Sequence, residues 1–417
     1  MPTTLLKIDW LTIILFITLV GFGWGNIYST SVTDASASLL DTSQIYGKQL
    51  LWIGLSIPLI ILVLALDAKF YQQFSSVIYV VALLSLVGLL FFGKTIAGQT
   101  AWYSFGSFSI QPAEFVKAAV ALAMAKYLTG INIQLKNFKH QIQALIIIGI
   151  PMFLIMLQPD AGSALIYLAF IIPMYREGLP DLYLVLGILV ALLFVLTLKF
   201  GFYYIGVAII LIALLIYFFN RNKKPKLFKY LGITLLCIGF SFSVGFIYEQ
   251  LQPHQKDRFD LILGKIDDIS GKGYNTYQGK VAIGSGGWTG RGWLNGTHTQ
   301  GKFVPEQHTD YIFVTVGEEW GFLGSTLIIL LFVFLMIRLI FLAERQKSDF
   351  SRIYGYSVFA IIFFHFFVNI AMVLGLFPTV GIPLPFFSYG GSSLWGFTVL
   401  IFIFLKLDAK RMDGLSF

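Results

Sequence analysis

Charge is what this sequence has least of. Asp, Glu, Lys and Arg make up 12% of its 417 residues, against about 25% in an ordinary soluble domain. Hydrophobic residues make up 57%, and mean hydropathy is +0.80. A soluble enzyme of this length could not cover its surface with so few polar side chains, and a disordered chain would not be so apolar. Cysteine is nearly absent. Cys237 stands alone, which excludes an internal disulfide framework and a thiolate metal site. The five histidines, His140, His254, His298, His308 and His365, show no zinc spacing. There is no Walker A pattern, and the run Gly284-Ser285-Gly286-Gly287-Trp288-Thr289 lacks the last glycine of a dinucleotide fingerprint. No polar segment carries a basic stripe with interleaved aromatics, which points away from a nucleic-acid partner. No repeat of fixed period is visible.

What is present is a series of long apolar runs. A helix needs roughly 20 apolar residues to cross a bilayer. Twelve runs qualify or come close: 10–28, 50–66, 75–92, 112–128, 144–157, 161–175, 182–198, 202–219, 231–248, 325–340, 354–376 and 394–405. The expected fold is an all-α polytopic membrane protein with about 12 transmembrane helices, read as one membrane-embedded domain over 1–417. The first run is too long for a signal-peptide core and lacks an A-x-A site, so it reads as an uncleaved span. The net charge of +8 is mainly topological, because Lys and Arg collect in cytoplasmic loops. Lys7, Lys69, Lys126, Lys136, Lys139, Arg176, the cluster from Arg221 to Lys229, Arg345, Lys347, Arg352, Lys406, Lys410 and Arg411 fall in alternate loops. Residues 30–49 hold only Lys48. Both termini are therefore expected in the cytoplasm, and the long segment 249–310 outside. That loop is glycine-rich and carboxylate-bearing, and loops so long are usually functional or disordered.

Several polar residues interrupt apolar runs. Glu114 and Lys117 stand at i,i+3 on one helix face and can pair, either as a structural ion pair or as a polar wall facing a cavity. Asp160 follows Pro159 and is placed to cap the next helix. Glu318 and Glu319 suggest a partly re-entrant stretch lining an aqueous cavity. His365 and Asn369 share a helix face, and a lone membrane histidine is more often an interhelical hydrogen-bond partner than a ligand. In the outer loop, Asp267 and Asp268 lead the run to Tyr274. An exposed Asp pair is usually a turn former, while a carboxylate is also a natural general base for a sugar hydroxyl.

Five blocks, in order, make the chain resemble the RodA/FtsW (SEDS) family of peptidoglycan glycosyltransferases. They are Ile110-Gln111-Pro112-Ala113-Glu114-Phe115-Val116-Lys117; Gln158-Pro159-Asp160-Ala161-Gly162-Ser163; Gly273-Tyr274-Asn275 with Gln278 and Ala282-Ile283-Gly284-Ser285-Gly286-Gly287; Pro305-Glu306-Gln307-His308-Thr309-Asp310-Tyr311-Ile312-Phe313 with Gly317-Glu318-Glu319; and Gly381-Ile382-Pro383-Leu384-Pro385-Phe386-Phe387-Ser388-Tyr389-Gly390-Gly391-Ser392-Ser393. The Gly-Ile-Pro-Leu-Pro-Phe form and Gly292-Trp293-Leu294-Asn295-Gly296-Thr297 resemble the elongation (RodA) branch. The sequence departs from the pattern at Ile269, which replaces a proline, at Ala113, which replaces a serine, and at Ala101, which stands where an arginine often precedes Trp102.

The resemblance implies polymerisation of lipid II into glycan strands at the outer face of the bacterial cytoplasmic (inner) membrane, serving cell-wall elongation and rod shape. It implies a ten-span core, so the nine runs before the large loop include an extra helical hairpin within about 182–248. It implies a catalytic acid six residues before Tyr274, which is Asp268, with Asp267 one position away. The implied reaction is inverting glycosyl transfer from an undecaprenyl-pyrophosphate-linked glycan. Charge stabilisation of the leaving pyrophosphate falls to Lys117, Arg258, Lys272 and Arg291, or to a divalent cation, Mg2+ or Mn2+; no protein metal site is expected. The glycine run containing Gly284 and Gly286 would admit substrate close to backbone. Trp102, Glu114, Asp160, Tyr274, His308, Asp310, Ser388 and Tyr389 complete the expected substrate-binding set. The implied partner is a class B penicillin-binding protein, a transpeptidase, contacting the spans within about 325–376. The competing readings are a lipid II flippase and a non-catalytic scaffold of the elongation complex.

Overall fold

The computed structural model describes residues 7–32, 38–96, 98–106, 108–219 and 227–251, positions 256, 257, 259, 260, 263 and 265, and residues 273–411. Two compact units result: residues 1–179 with 278–417, and residues 180–277.

In the first unit, α1 (Trp10–Ser31) begins at Asp9, whose carboxylate accepts from the Thr12 N–H. It is followed by α2 (Ile45–Ala65) and α3 (Ala68–Phe92). A small antiparallel sheet comes next, β1 (Lys94–Ile96), β2 (Gln99–Phe105) and β3 (Phe108–Ile110), in that spatial order. Tyr103 faces Ile110 and Phe105 faces Phe108 across its second hairpin. Pro112 then opens α4 (Pro112–Leu128) at the first helical position, where its missing N–H costs nothing. α5 (Phe138–Met156) leads into a broken stretch: α6 (Ala161–Leu165), a 3₁₀ turn (Ile166–Phe170) and α7 (Ile171–Arg176).

The second unit holds α8 (Leu182–Phe200), α9 (Phe202–Phe219) and α10 (Leu227–Gln250). A buried hydrogen bond of 2.8 Å between Thr197 and Ser241 ties α8 to α10. This unit contains the region where the extra hairpin was expected. α11 (Tyr274–Ser285) starts in it and ends in the first unit. The first unit is completed by the short α12 (Thr297–Gln300) and by α13 (Ile312–Glu344), α14 (Asp349–Val373) and α15 (Gly391–Arg411).

Ten of these helices are long and apolar enough to cross a membrane: α1, α2, α3, α5, α8, α9, α10, α13, α14 and α15. The other two expected runs are shorter helices, α4 and the broken stretch 161–176. α4 is the centre of the first unit. It packs against α3, α5, α14 and α15 and is buried along nearly its whole length. Its alanines, Ala113, Ala118, Ala119, Ala121, Ala123 and Ala125, are all buried and let neighbouring backbones approach closely. Such a helix faces protein on every side, so it can be short and only moderately hydrophobic. Gly396 makes the closest approach: a Cβ there would lie 2.8 Å from the Glu114 carbonyl oxygen.

α13 is bent at Gly321 (φ 64°, ψ −158°). The break releases backbone groups that a membrane interior cannot hydrate. The segment 287–292 satisfies them. Phe322 N–H donates to the Gly287 carbonyl (2.9 Å) and Leu323 N–H to that of Trp288 (3.0 Å). In return, Arg291 and Gly292 N–H donate to the carbonyls of Glu318 and Glu319 (both 3.0 Å).

Candidate functional site

At the end of the first unit that loop charge places outside, one cavity of about 730 Å³ opens between the helices. Pockets for organic ligands commonly run from about 300 to 1,000 Å³. Its walls come from distant parts of the chain. α2 contributes Lys48, Leu51 and Trp52; the sheet contributes Ile96, Gln99, Trp102, Phe108 and Ser109; Gln111 and Glu114 come from the start of α4; Asp160 and Ser163 from the start of α6. Glu306, His308, Thr309 and Asp310 close one side, and the loop from Gly381 to Ser393 closes another.

Hydrogen bonds explain how these segments hold together. Asp160 caps α6 through the Ser163 N–H (3.0 Å), and its second oxygen accepts from the Gln111 amide (3.0 Å). Gln111 N–H donates to Ser392 (3.0 Å). Gly390 N–H donates to Gln49 on α2 (3.1 Å), and Tyr389 N–H donates to the His308 carbonyl (2.9 Å). On α14, the Asn369 amide donates to the carbonyls of Asp310 (2.7 Å) and Ile382 (2.8 Å). The capping role read for Asp160 is realised, while Asn369 ties α14 to two connecting segments rather than to another helix.

Glu114 and Lys117 pair as expected, at 2.8 Å, with 4% and 3% of their side chains exposed. The Lys117 ammonium also lies 2.9 Å from His365 Nε2 and 4.9 Å from the centre of the Phe397 ring. An ammonium only donates, so Nε2 accepts; the ring proton then sits on Nδ1, 3.3 Å from the Pro383 carbonyl. Lys117 thus stands behind Glu114 with its charge already partnered, and only Glu114 reaches the cavity wall.

His308 and Glu306 approach to 3.8 Å, and the His308 ring meets Tyr389 edge-on. Burial pushes the His308 imidazole below its ordinary value of 6.5, opposed by the Glu306 carboxylate. Glu306 itself adopts a left-handed backbone (φ 55°), a strained conformation that clusters at functional sites.

Of the expected site residues, Trp102, Glu114, Asp160, His308, Asp310 and Tyr389 line this one cavity. Ser388 does not; its hydroxyl accepts from Leu384 N–H (2.8 Å) and braces the turn beneath. Gly286 is close to backbone for another reason than substrate: a Cβ there would lie 2.0 Å from the Gly317 carbonyl of α13. Arg291 is outside the lining too, with its guanidinium donating to Thr297 (2.9 Å). Gly284 and Tyr274 lie on α11 and are likewise absent from the lining. Asp268, its neighbour Asp267, Arg258 and Lys272 lie outside the described residues.

The reading of Glu318 and Glu319 is corrected. They belong to the helical α13, are 0% and 1% exposed, and are absent from the lining of this cavity. Glu318 receives the N–H groups of His298 and Thr299 (both 2.8 Å) and the Thr299 hydroxyl (2.7 Å), clamping the segment around α12 to the span. Glu319 accepts from Ser29 of α1 (2.5 Å). Missed from the sequence were Lys48, Gln111, Glu306 and Ser392 as wall residues. Three of these stood inside the quoted motif blocks, and Lys48 was the lone basic residue of its loop region.

Residues 9–413 match the family model described as the FtsW/RodA/SpoVE cell cycle proteins. The chain belongs to that family. It is 32% identical over 343 residues to the peptidoglycan glycosyltransferase MrdB of Escherichia coli K12, covering 82% of this chain and 80% of that one. It is 29% identical over 433 residues to the peptidoglycan glycosyltransferase RodA of Treponema pallidum, covering 97% and 98%. Among solved structures, it is similar to a chain of a peptidoglycan synthase complex that coordinates polymerization and crosslinking (TM-score 0.71, 25% identity, 98% of this chain and 99% of that one). The fold of Thermus thermophilus RodA matches with a TM-score of 0.63 at 23% identity, over 97% of both chains. This member of the FtsW/RodA/SpoVE family is a multi-pass protein of the bacterial inner membrane.

Proposed function

We infer that this chain is a peptidoglycan glycosyltransferase that polymerises lipid II, with the cavity as its substrate chamber. The observation that carries the reading is convergence. Four of the five motif blocks, separated by up to some 280 positions, place side chains on a single cavity wall. Asp268 accepts the proton of the acceptor's GlcNAc 4-hydroxyl as that oxygen attacks the anomeric carbon of the donor. The bond from that carbon to the pyrophosphate oxygen breaks, inverting the centre, and undecaprenyl pyrophosphate departs. Pyrophosphate needs charge stabilisation more than protonation. Among the described residues no group of three or more His, Cys, Asp or Glu could hold a metal ion. A class B penicillin-binding protein supplies the crosslinking partner.

The test is the purified chain, with that transpeptidase, incubated with lipid II. Glycan polymer is expected from the wild type and none from Asp268→Ala, with both proteins sharing the same melting curve and elution profile. Near-normal polymer from Asp268→Ala sinks the assignment of the base. Translocation of lipid II across liposomes without polymer points to a flippase instead, and neither product points to a scaffold.

A further inference from the structure

Among the described residues of the cavity wall, carboxylates outnumber cations. Glu114, Asp160, Glu306 and Asp310 contribute four carboxylates, and Lys48 is the single Lys or Arg among its described lining residues. Glu114 is neutralised from behind by Lys117. Asp160 is engaged by Gln111 and the α6 N-terminus. Lys48 is exposed, and among the described residues no carboxylate pairs with it.

Local geometry fixes where that ammonium stands. Lys48 lies in the first turn of α2, one turn from Trp52 on the same helix face. Trp52 is held edge-on by Phe108 and Trp395. Next to it, Gln49 anchors the helix to the Gly390 N–H. Trp102 of β2 lines the same cavity, while its neighbour Ala101 is fully buried and offers no charge. Lys117, with its ammonium shared between Glu114 and His365, leaves Lys48 as the free cation among the described residues of this wall.

We propose that Lys48 is the anchor for the pyrophosphate of the prenyl-linked saccharide. This rests on the glycosyltransferase reading above and adds a binding residue to it. A dianionic headgroup entering a chamber whose other described charged side chains are acidic is drawn to the α2 side, where the helix N-terminus adds its own positive end. The saccharide is then left to the rest of the wall, where Glu306, Asp310 and the Asp160–Gln111 pair offer acceptors and donors for hydroxyl groups. The substrate is oriented by charge before any bond is broken.

The experiment measures binding of farnesyl pyrophosphate and of uncharged farnesol to the full-length protein in detergent micelles. Lys48→Gln is expected to weaken farnesyl pyrophosphate about tenfold, the scale of one lost charge-assisted hydrogen bond, and to leave farnesol unchanged. Lys48→Arg retains affinity within about threefold on the same scale. Gln99→Arg, which puts a cation elsewhere on the wall, restores most of the affinity lost in Lys48→Gln. An unchanged melting temperature shows that the exposed Lys48 was not holding the fold. Equal pyrophosphate affinity in wild type and Lys48→Gln overturns the proposal, as does a parallel loss for farnesol. Failure of the wild type to polymerise lipid II, with the pyrophosphate loss still present in Lys48→Gln, would instead remove the glycosyltransferase reading and leave the anion anchor standing.

Discussion

A half-buried imidazole beside a carboxylate makes the described cavity sensitive to pH. Burial lowers the His308 value from 6.5 in the folded protein, while Glu306 pulls the other way. The unfolded chain therefore binds the proton first as pH falls. Folding stability is fully present above about 6.5, declines as pH drops through that value, and stops declining once pH passes the lowered folded value. Melting temperatures measured from pH 8 to pH 5 should show this loss, and His308→Asn should flatten the part of the curve just below 6.5. A His308→Asn profile that overlays the wild type would place the titration elsewhere. At this scale the sequence was partly legible. The Glu114–Lys117 pair followed from helical spacing, and the Asp160 cap from its position after a proline. The second hydrogen-bond partner of Lys117 was not legible, because His365 lies 248 positions away and only the packing of α14 on α4 brings it near.

Elements carry the next layer of specificity. The bend in α13 works because the 287–292 segment replaces the hydrogen bonds it breaks. Gly290 is central to that exchange: its backbone is left-handed (φ +80°), and a Cβ there would lie 2.1 Å from the Glu319 carbonyl. Gly290→Ala should therefore lower the melting temperature by several degrees, corresponding to strain of about 1–3 kcal/mol. Gly284→Ala, on α11 with nothing within 4 Å of its Cβ, should leave it unchanged or slightly raised. Equal melting of the two variants would mean that the segment does not brace the bend. Sequence reading placed Glu318 and Glu319 at an aqueous surface because two carboxylates in an apolar run ordinarily need water. Here Glu318 is met by backbone N–H groups and a hydroxyl from a segment some twenty residues earlier, and Glu319 by the Ser29 hydroxyl of α1; no local pattern announces either.

Across the whole molecule, long apolar runs were the readable part. Their existence and order follow from the length a bilayer demands, and the basic residues of alternate loops follow the rule of cytoplasmic charge. At the end opposite the cavity, Arg338 pairs with Asp9, and Arg345 with the buried Asp408 (2.5 Å). These pairs join α1, α13 and α15, so part of the basic surplus is structural. What a linear reading could not supply was which runs meet. The convergence of Lys48, Glu114, Asp160, His308 and Tyr389 on one cavity needs the fold.

The enclosure of α4 has a consequence for chemical labelling. A photoactivated carbene reagent dissolved in the lipid would modify α3 and α5, whose apolar windows are only 17% and 28% buried within the protein. It should spare α4, although all three come from apolar stretches of the same chain. Peptide mapping after irradiation would read this directly, and heavy adduct formation on 112–128 would mean that the central helix has a lipid-facing side.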